Sequence, residues 1–134
     1  MTRALLLAAV VAAIGSNASA SIIVRCTGPM TVTGADLPLH NDADINYFKF
    51  SIGELRMYNA IKRDWGPNYC TGWAMCNLDE DAFNLDDHFN KDGPFTFHVS
   101  RDTGDFRYDD TITGMRTVMT GKCEAAPDPV TRKF

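Results

Sequence analysis

The side chains of this sequence that could do acid–base chemistry gather in one acidic segment. Residues 78–93 contain six carboxylates together with His88. General acid–base catalysis, glycoside cleavage included, requires a pair of titratable groups held at a defined separation. That separation depends on the fold, so the sequence leaves open a small secreted hydrolase that would use residues 79–88.

The remaining histidines, His40 and His98, belong to no motif for catalysis or for a transition metal. His98 alternates onto the polar side of a strand-like segment, where we expect it to bond a neighbouring strand or water. The chain has no H-E-x-x-H, H-x-H or G-x-S-x-G spacing. We therefore predict no catalytic residue and no cofactor.

A calcium ion is the metal best matched to clustered carboxylates, and Asp42, Asp44 and Asn46 imitate the start of an EF-hand loop. The imitation then fails, because Tyr47 stands where the loop requires Gly and Gly53 stands where it requires Glu. The acidic run 79–92 lacks the register altogether. We predict no metal site at either place and expect solvated carboxylates.

The segment 65–76, WGPNYCTGWAMC, concentrates aromatic residues between two cysteines. A bridge from Cys70 to Cys76 would make a rigid loop, and rigid aromatic loops are good interface anchors because little rotamer entropy is lost on contact. We predict Trp65, Tyr69 and Trp73 as binding residues. The alternative is that these rings only fill one end of a β-domain core.

All four cysteines follow the first twenty residues, and an even number in an exported chain predicts disulfides. Three pairings exist. Cys70–Cys76 with Cys26–Cys123 is favoured, because the first pair is close in sequence and the second would tie the first strand to the last. A four-Cys zinc site is disfavoured by the lack of a C-x2-C pair.

The first twenty residues predict a cleavable secretory signal. Arg3 precedes an uncharged apolar run, which ends in Ala18-Ser19-Ala20. Arg25 before Cys26 excludes a lipoprotein cleavage site, so we expect no membrane anchor. The remainder has 12 Lys and Arg against 17 Asp and Glu, a charge of −5, which disfavours nucleic acid as a partner. We expect export to the periplasm or the cell exterior.

Alternating apolar residues predict that the candidate functional residues lie on β-strands or on the loops between them. Residues 45–52 and 94–101 predict half-buried antiparallel strands, and 100–108 predicts a hairpin that turns at Gly104. Segments 21–26 and 30–34 predict two strands joined by a turn at Thr27-Gly28-Pro29. A strand is preferred over a helix for 54–63, a short strand or a turn is expected around Phe83 to Leu85, and 113–123 predicts the last strand. The whole predicts an all-β single domain, an antiparallel β-sandwich or small barrel of about seven strands.

A family resemblance accompanies these patterns. The chain resembles uncharacterised small exported proteobacterial proteins in its early Cys26, W-x4-C-x5-C loop, Arg101-x-Thr103-Gly104-x-Phe106 hairpin, Gly121-Lys122-Cys123-Glu124 segment and closing Lys133-Phe134. The resemblance implies export and a β-fold, and it implies no activity.

Three segments and three functions follow from the sequence. We expect a signal peptide over 1–20, a β-domain over 21–125 and a flexible C-terminal tail over 126–134. The expected function is a non-catalytic module that binds an envelope or extracellular protein, a glycan or a small ligand, with inhibition of a secreted hydrolase as one such role. The alternatives are the small hydrolase above and a structural envelope component.

Overall fold

A computed structural model describes residues 20–34, 36, 38–88 and 93–131 of the protein. The expected signal peptide lies outside these residues except for Ala20, and so does the end of the expected tail. Within the described part, no helix has the length and apolar composition needed to cross a lipid bilayer.

The described residues form one antiparallel sheet of nine strands, in the spatial order β4-β3-β2-β1-β9-β8-β7-β6-β5. The all-β antiparallel domain is confirmed, with nine strands in place of about seven. The strands are β1 Ile22–Thr33, β2 Leu39–Ser51, β3 Glu54–Asn59, β4 Asp64–Trp65, β5 Met75–Leu78, β6 Ala82–Asp87, β7 Phe95–Ser100, β8 Asp105–Ile112 and β9 Met115–Ala125.

The sheet curls into a half-barrel around an aromatic core. Phe48 of β2 and Phe97 of β7 have ring centroids 4.7 Å apart, although three strands lie between β2 and β7 in the sheet. Strands are spaced about 4.8 Å apart, so a flat sheet would separate these rings by about 19 Å. Phe50 and Phe83 meet in the same way at 5.0 Å. We call the side that carries these rings the concave face and the opposite side the convex face.

The prediction of two strands at 21–26 and 30–34 is wrong, because β1 runs without a break from Ile22 to Thr33. The pairing with β2 shifts register between Gly28 and Met30, so the chain forms a bulge at this point and not a turn. Pro29 lies within this bulge, at a position where the sheet does not require a backbone N–H donor. A Cβ on Gly28 would collide with the Thr120 carbonyl of β9, so glycine here allows the backbones to approach.

Most of the other strand predictions agree with the structure. Segments 45–52 and 94–101 correspond to β2 and β7, and 113–123 corresponds to β9. The strand predicted for 54–63 is right only as far as Asn59, because 60–63 form the turn between β3 and β4. The predicted hairpin joins β7 to β8, where the Gly104 N–H donates to the Ser100 carbonyl oxygen at 2.9 Å and Gly104 has φ +78°. Of the strand or turn expected around Phe83 to Leu85, the structure has the strand, β6.

The predicted disulfide pairing is confirmed. Cys26 and Cys123 face each other in the β1–β9 ladder and form one bridge, and Cys70 and Cys76 form the other. The first bridge joins β1 to β9, the first and last strands in chain order, which are neighbours in the sheet. The second closes the loop that leads into β5.

The segment after β9 lies against the sheet as far as it is described. The Ala126 N–H donates to the Ile23 carbonyl oxygen at 3.0 Å, and a 3-10 helix covers Pro129–Thr131. Asp128 accepts a bond from the Trp65 indole N–H at 3.2 Å. These contacts hold 126–131 beside β1 and β4.

Candidate functional site

The loop between β4 and β5 exposes a tryptophan, Trp73, to solvent. Trp73 is 79% exposed and Met75, at the start of β5, is 75% exposed. Between them and the sheet stands the Cys70–Cys76 bridge, which closes a ring of seven residues. We call Trp73 and Met75 the stapled apolar tip.

The base of this loop is fixed to β3 by one amide side chain. Asn68 Oδ1 accepts from the N–H groups of Leu55 and Cys70, each at 3.0 Å, and Asn68 Nδ2 donates to the Gly53 carbonyl oxygen at 3.1 Å. The Tyr69 N–H adds a backbone bond to the Leu55 carbonyl oxygen at 2.8 Å. Because these bonds and the bridge act on both sides of the tip, the tip is held in a defined position.

Trp65 has a different environment from Trp73. It belongs to β4 and packs edge-on against Tyr58 of β3, with ring centroids 5.7 Å apart. Lys49 Nζ lies 4.9 Å from the centre of the Trp65 ring on the convex face. With its indole N–H bonded to Asp128, Trp65 attaches the chain end to the sheet edge.

Tyr69 turns toward the concave face and closes one end of the core. Its ring lies 5.1 Å from Phe95, whose own ring lies 5.1 Å from Tyr108. Burial raises the pKa of Tyr69, and the negative charge of Asp110 adds to the effect. The structure therefore distributes the three predicted binding residues over three environments, and Trp73 is the one at an accessible tip.

The Tyr108 hydroxyl donates to Asp110 Oδ2 at 3.0 Å in the buried interior. Burial is the main cause that raises the pKa of Tyr108, with the charges of Tyr69 and Asp110 contributing. Both tyrosines are thus held as neutral phenols. This hydrogen bond satisfies a buried carboxylate next to the aromatic core.

Strand β5, which follows the tip, is one of the two edges of the described sheet. It pairs with β6 on one side, and in the described residues no strand pairs with its other side. Met75 is directly opposite Asp86 of β6, so both side chains lie on the convex face. Cys76 and Leu78 point to the concave face.

The acidic segment does not bring its groups together. Asp79 Oδ1 accepts from the N–H groups of Asp81 and Ala82, which uses this carboxylate to hold the β5–β6 turn. These backbone bonds lower the pKa of Asp79. Asp86 and His88 share the convex face, 3.0 Å apart, and Asp87 points to the opposite face. Among the described carboxylates of this segment, within 79–87, the geometry offers no pair at a shared cleft; Asp92 lies outside the described residues.

The other histidines take part in surface contacts. His40 Nδ1 lies 3.0 Å from Thr31 Oγ1 and its Nε2 lies 2.6 Å from Asp42 Oδ1, an order of groups that resembles a nucleophile–base–acid chain. The Asp42 side chain is 92% exposed, however, and no cleft encloses the hydroxyl. His98 bonds Asn84 on the neighbouring strand, in agreement with the expected cross-strand role.

The EF-hand-like residues bond one another. Asp44 accepts from Asn46 at 2.5 Å and from Asn41 at 3.3 Å. Across the described ranges, no three His, Cys, Asp or Glu side chains are arranged to hold a metal ion.

A separate open groove lies where β2, β3 and the start of the stapled loop meet. Its volume is about 470 Å³, within the range of small-ligand sites. The lining carries no charged side chain, and it includes Ile45, Tyr47, Tyr58, Ile61, Pro67 and Tyr69. Such a surface could accept an apolar or aromatic group but supplies no acid or base.

Two residues that define the site were not predicted from the sequence. Two of the three partners of Asn68 belong to β3 and to the turn at Gly53, which are distant until the sheet forms, and only the bond from the Cys70 N–H is local. Met75 was noted only as part of the loop, although the alternation of β5 places it outward beside Asp86. A strand prediction for 75–78 would have identified it.

Comparison with known proteins gives no match: no protein-family model, no curated protein and no solved structure is similar to this chain.

Proposed function

We propose that this protein is an exported, non-catalytic binding module that engages a partner through the stapled apolar tip, Trp73 and Met75. The observation that carries the proposal is the 79% exposure of Trp73 on a loop closed by a disulfide. Single exposed apolar side chains are common on protein surfaces, but an exposed tryptophan and an exposed methionine two positions apart, within the ring that the Cys70–Cys76 bridge closes, favour an interaction site.

Rigidity supports this function. Ordering a mobile loop on binding costs about 0.5–1.5 kcal/mol for each immobilised side chain, and that cost subtracts from affinity. Here the bridge and the three bonds of Asn68 hold the backbone before a partner arrives. Tryptophan is also the residue type most enriched among binding hot spots.

Export fits the same function. Two disulfides in a domain of this size are typical of proteins that fold in an oxidising compartment. An acidic surface disfavours nucleic acid and anionic lipid, and leaves an envelope or extracellular protein or glycan as the partner class. Inhibition of a secreted hydrolase, with Trp73 inserted into the enzyme's cleft, is one activity such a module could have.

The two alternatives receive less support. For the hydrolase, Asp79 is committed to a turn, while Asp86 and Asp87 lie on opposite faces of β6. For the envelope component, no feature of the described residues requires a fixed assembly. A structural component would be recovered with wall or membrane material and would not depend on Trp73.

Affinity capture tests the proposal. The mature protein and its Trp73→Ala variant are immobilised and exposed to the envelope fraction of the native host. The matched control is Leu39→Ala, which removes a side chain that is 59% exposed at the start of β2, outside both the loop and the groove. We expect at least one protein or glycan to be retained by the wild type and the control and lost by Trp73→Ala. Equal recovery of every bound species by all three forms would refute the role of the tip.

A further inference from the structure

We infer that the partner of the stapled apolar tip is a basic, extended segment of another protein, which adds as a strand to the outer edge of β5. The inference rests on the proposed function and specifies its partner. Three features of the structure carry it: an open strand edge, an excess of carboxylates among the described residues around that edge, and the position of Trp73 at its start.

The open edge supplies backbone hydrogen bonds. Strand β5 has four residues, Met75–Leu78, and is terminal in the described sheet. In an antiparallel ladder alternate residues direct both N–H and C=O away from the existing partner, so two residues of β5 present these groups outward. Such edges are templates for an added strand, in which backbone bonds give affinity and side chains give specificity.

The charge around the edge favours a cationic strand. From Asp64 to His88 the sequence has six Asp and Glu and no Lys or Arg. Asp86 stands directly opposite Met75, and Asp79 follows the last residue of β5. Among the described residues, Arg101 Nη1 donates to the Asp79 carbonyl oxygen at 2.7 Å, and Arg107 lines the same surface groove as Asp86. These two guanidinium groups offset part of the charge, and the carboxylates stay in excess.

Trp73 provides a face for a cationic side chain. A Lys or Arg over an indole ring gains about 0.5–1 kcal/mol when exposed and about 2 kcal/mol when water is excluded. The same molecule shows this contact already, since Lys49 lies over Trp65. An added strand that alternates basic and apolar residues would direct its basic side chains to the convex face, where their aliphatic stems could lie on Met75 and their charges near Asp86 and Trp73. Its apolar side chains would point to the concave face, beside Cys76 and Leu78. A neutral glycan would gain less from the carboxylates.

Synthetic peptides test each feature. The probe is a fluorescein-labelled nine-residue peptide in which Lys alternates with Val, and the first control replaces every Lys by Glu. A second control carries N-methyl groups on alternate peptide nitrogens, which removes donors while keeping side chains. Affinity is measured by fluorescence anisotropy, and the contacted amides are located from 15N–1H NMR shifts.

We expect the Lys peptide to bind, with shifts at residues 75–78. Trp73→Ala and Asp86→Asn should each weaken it, the former by about tenfold. The matched charge control, Glu124→Gln, removes an exposed carboxylate of β9 and should leave the affinity unchanged. The N-methylated and Glu peptides should bind at least about tenfold more weakly.

Four results would overturn the inference. The first is no binding of the Lys peptide up to about 1 mM, which corresponds to a binding free energy of about −4 kcal/mol. The second and third are an affinity of the N-methylated peptide, or of the Glu peptide, equal to that of the Lys peptide. The fourth is a set of NMR shifts that does not include residues 75–78. Any of them, found together with loss of an envelope partner by Trp73→Ala, would leave the proposed function standing with a different partner class, such as a glycan. Equal capture by wild type and Trp73→Ala would instead remove the proposed function itself.

Discussion

The two disulfides should contribute unequally to stability, and the long bridge should contribute about twice as much as the short one. Cys26 and Cys123 are separated by 97 positions in sequence, and Cys70 and Cys76 by 6. The perturbation is to replace both partners of one bridge by Ala, so that no free thiol remains.

The magnitudes follow from the entropy that a closed loop removes from the unfolded chain. That entropy grows with the logarithm of loop length, which gives about 4.7 kcal/mol at 25 °C for Cys26–Cys123 and about 2.2 kcal/mol for Cys70–Cys76. Cys26 is fully buried, so its replacement also leaves a small cavity and adds to the first cost. For a domain of this size, about 4 °C per kcal/mol gives losses in Tm of about 20 °C and about 9 °C.

The assay is urea unfolding of residues 21–134 and of the two double variants of the same chain, followed by far-UV circular dichroism at one pH without reductant. Domains of this size are stable by about 5–15 kcal/mol, so Cys26→Ala/Cys123→Ala approaches the limit of folding. Failure of this variant to fold, while Cys70→Ala/Cys76→Ala folds, would agree with the larger cost. A greater loss for Cys70→Ala/Cys76→Ala would refute the loop-length reasoning.

Three further predictions concern single side chains. Asn68→Ala should lower the free energy of unfolding by about 3 kcal/mol, since three hydrogen bonds of about 1 kcal/mol each are lost. Thermal denaturation should show a smaller loss for Asn68→Asp, which keeps the oxygen that accepts from Leu55 and Cys70. Gly121→Ala should cost more than about 2 kcal/mol in urea unfolding, because its Cβ would collide with a β1 carbonyl, whereas Gly53→Ala, with open space around it, should cost about 1 kcal/mol. The Arg116 guanidinium lowers the pKa of Asp109, so the stability that this carboxylate adds is present above its unfolded pKa of about 3.9 and is lost as pH falls below that value. The Tm of Asp109→Asn should therefore change less between about pH 4 and about pH 2 than the Tm of the wild type. An equal change in Tm for the two proteins would contradict this.

Strands with strict alternation could be predicted from the sequence because their pattern is local. Phe48 and Phe50 alternate with polar residues in β2, and Phe95, Phe97 and Val99 do so in β7; both strands formed as expected. The cystine pairing could be predicted for a related reason. One pair is close in sequence, so the remaining pair is fixed.

The continuity of β1 could not be predicted, because it depends on a distant residue. Gly28-Pro29 has the composition of a turn, and it becomes a bulge only because Gly121 of β9 allows the backbones to approach there. The candidate site could not be predicted fully from the sequence for the same reason, because it also depends on a residue distant in the chain. Trp73 and Tyr69 are equal candidates in the sequence, and only the position of Phe95 explains why Tyr69 turns inward whereas Trp73 is 79% exposed.

The two edges of the sheet are treated differently, and this difference argues for function at β5. The β4 edge has only two residues, and the bond from Trp65 to Asp128 fixes the chain end next to it. Short or covered edges are the usual protection against unwanted pairing. The β5 edge is twice as long and carries an exposed Met75. Among the described residues, its surroundings are rich in carboxylates, which repel an acidic strand, including a second copy of this acidic chain, and admit a basic one. An edge guarded in this way is selective, which is the property that a binding module requires.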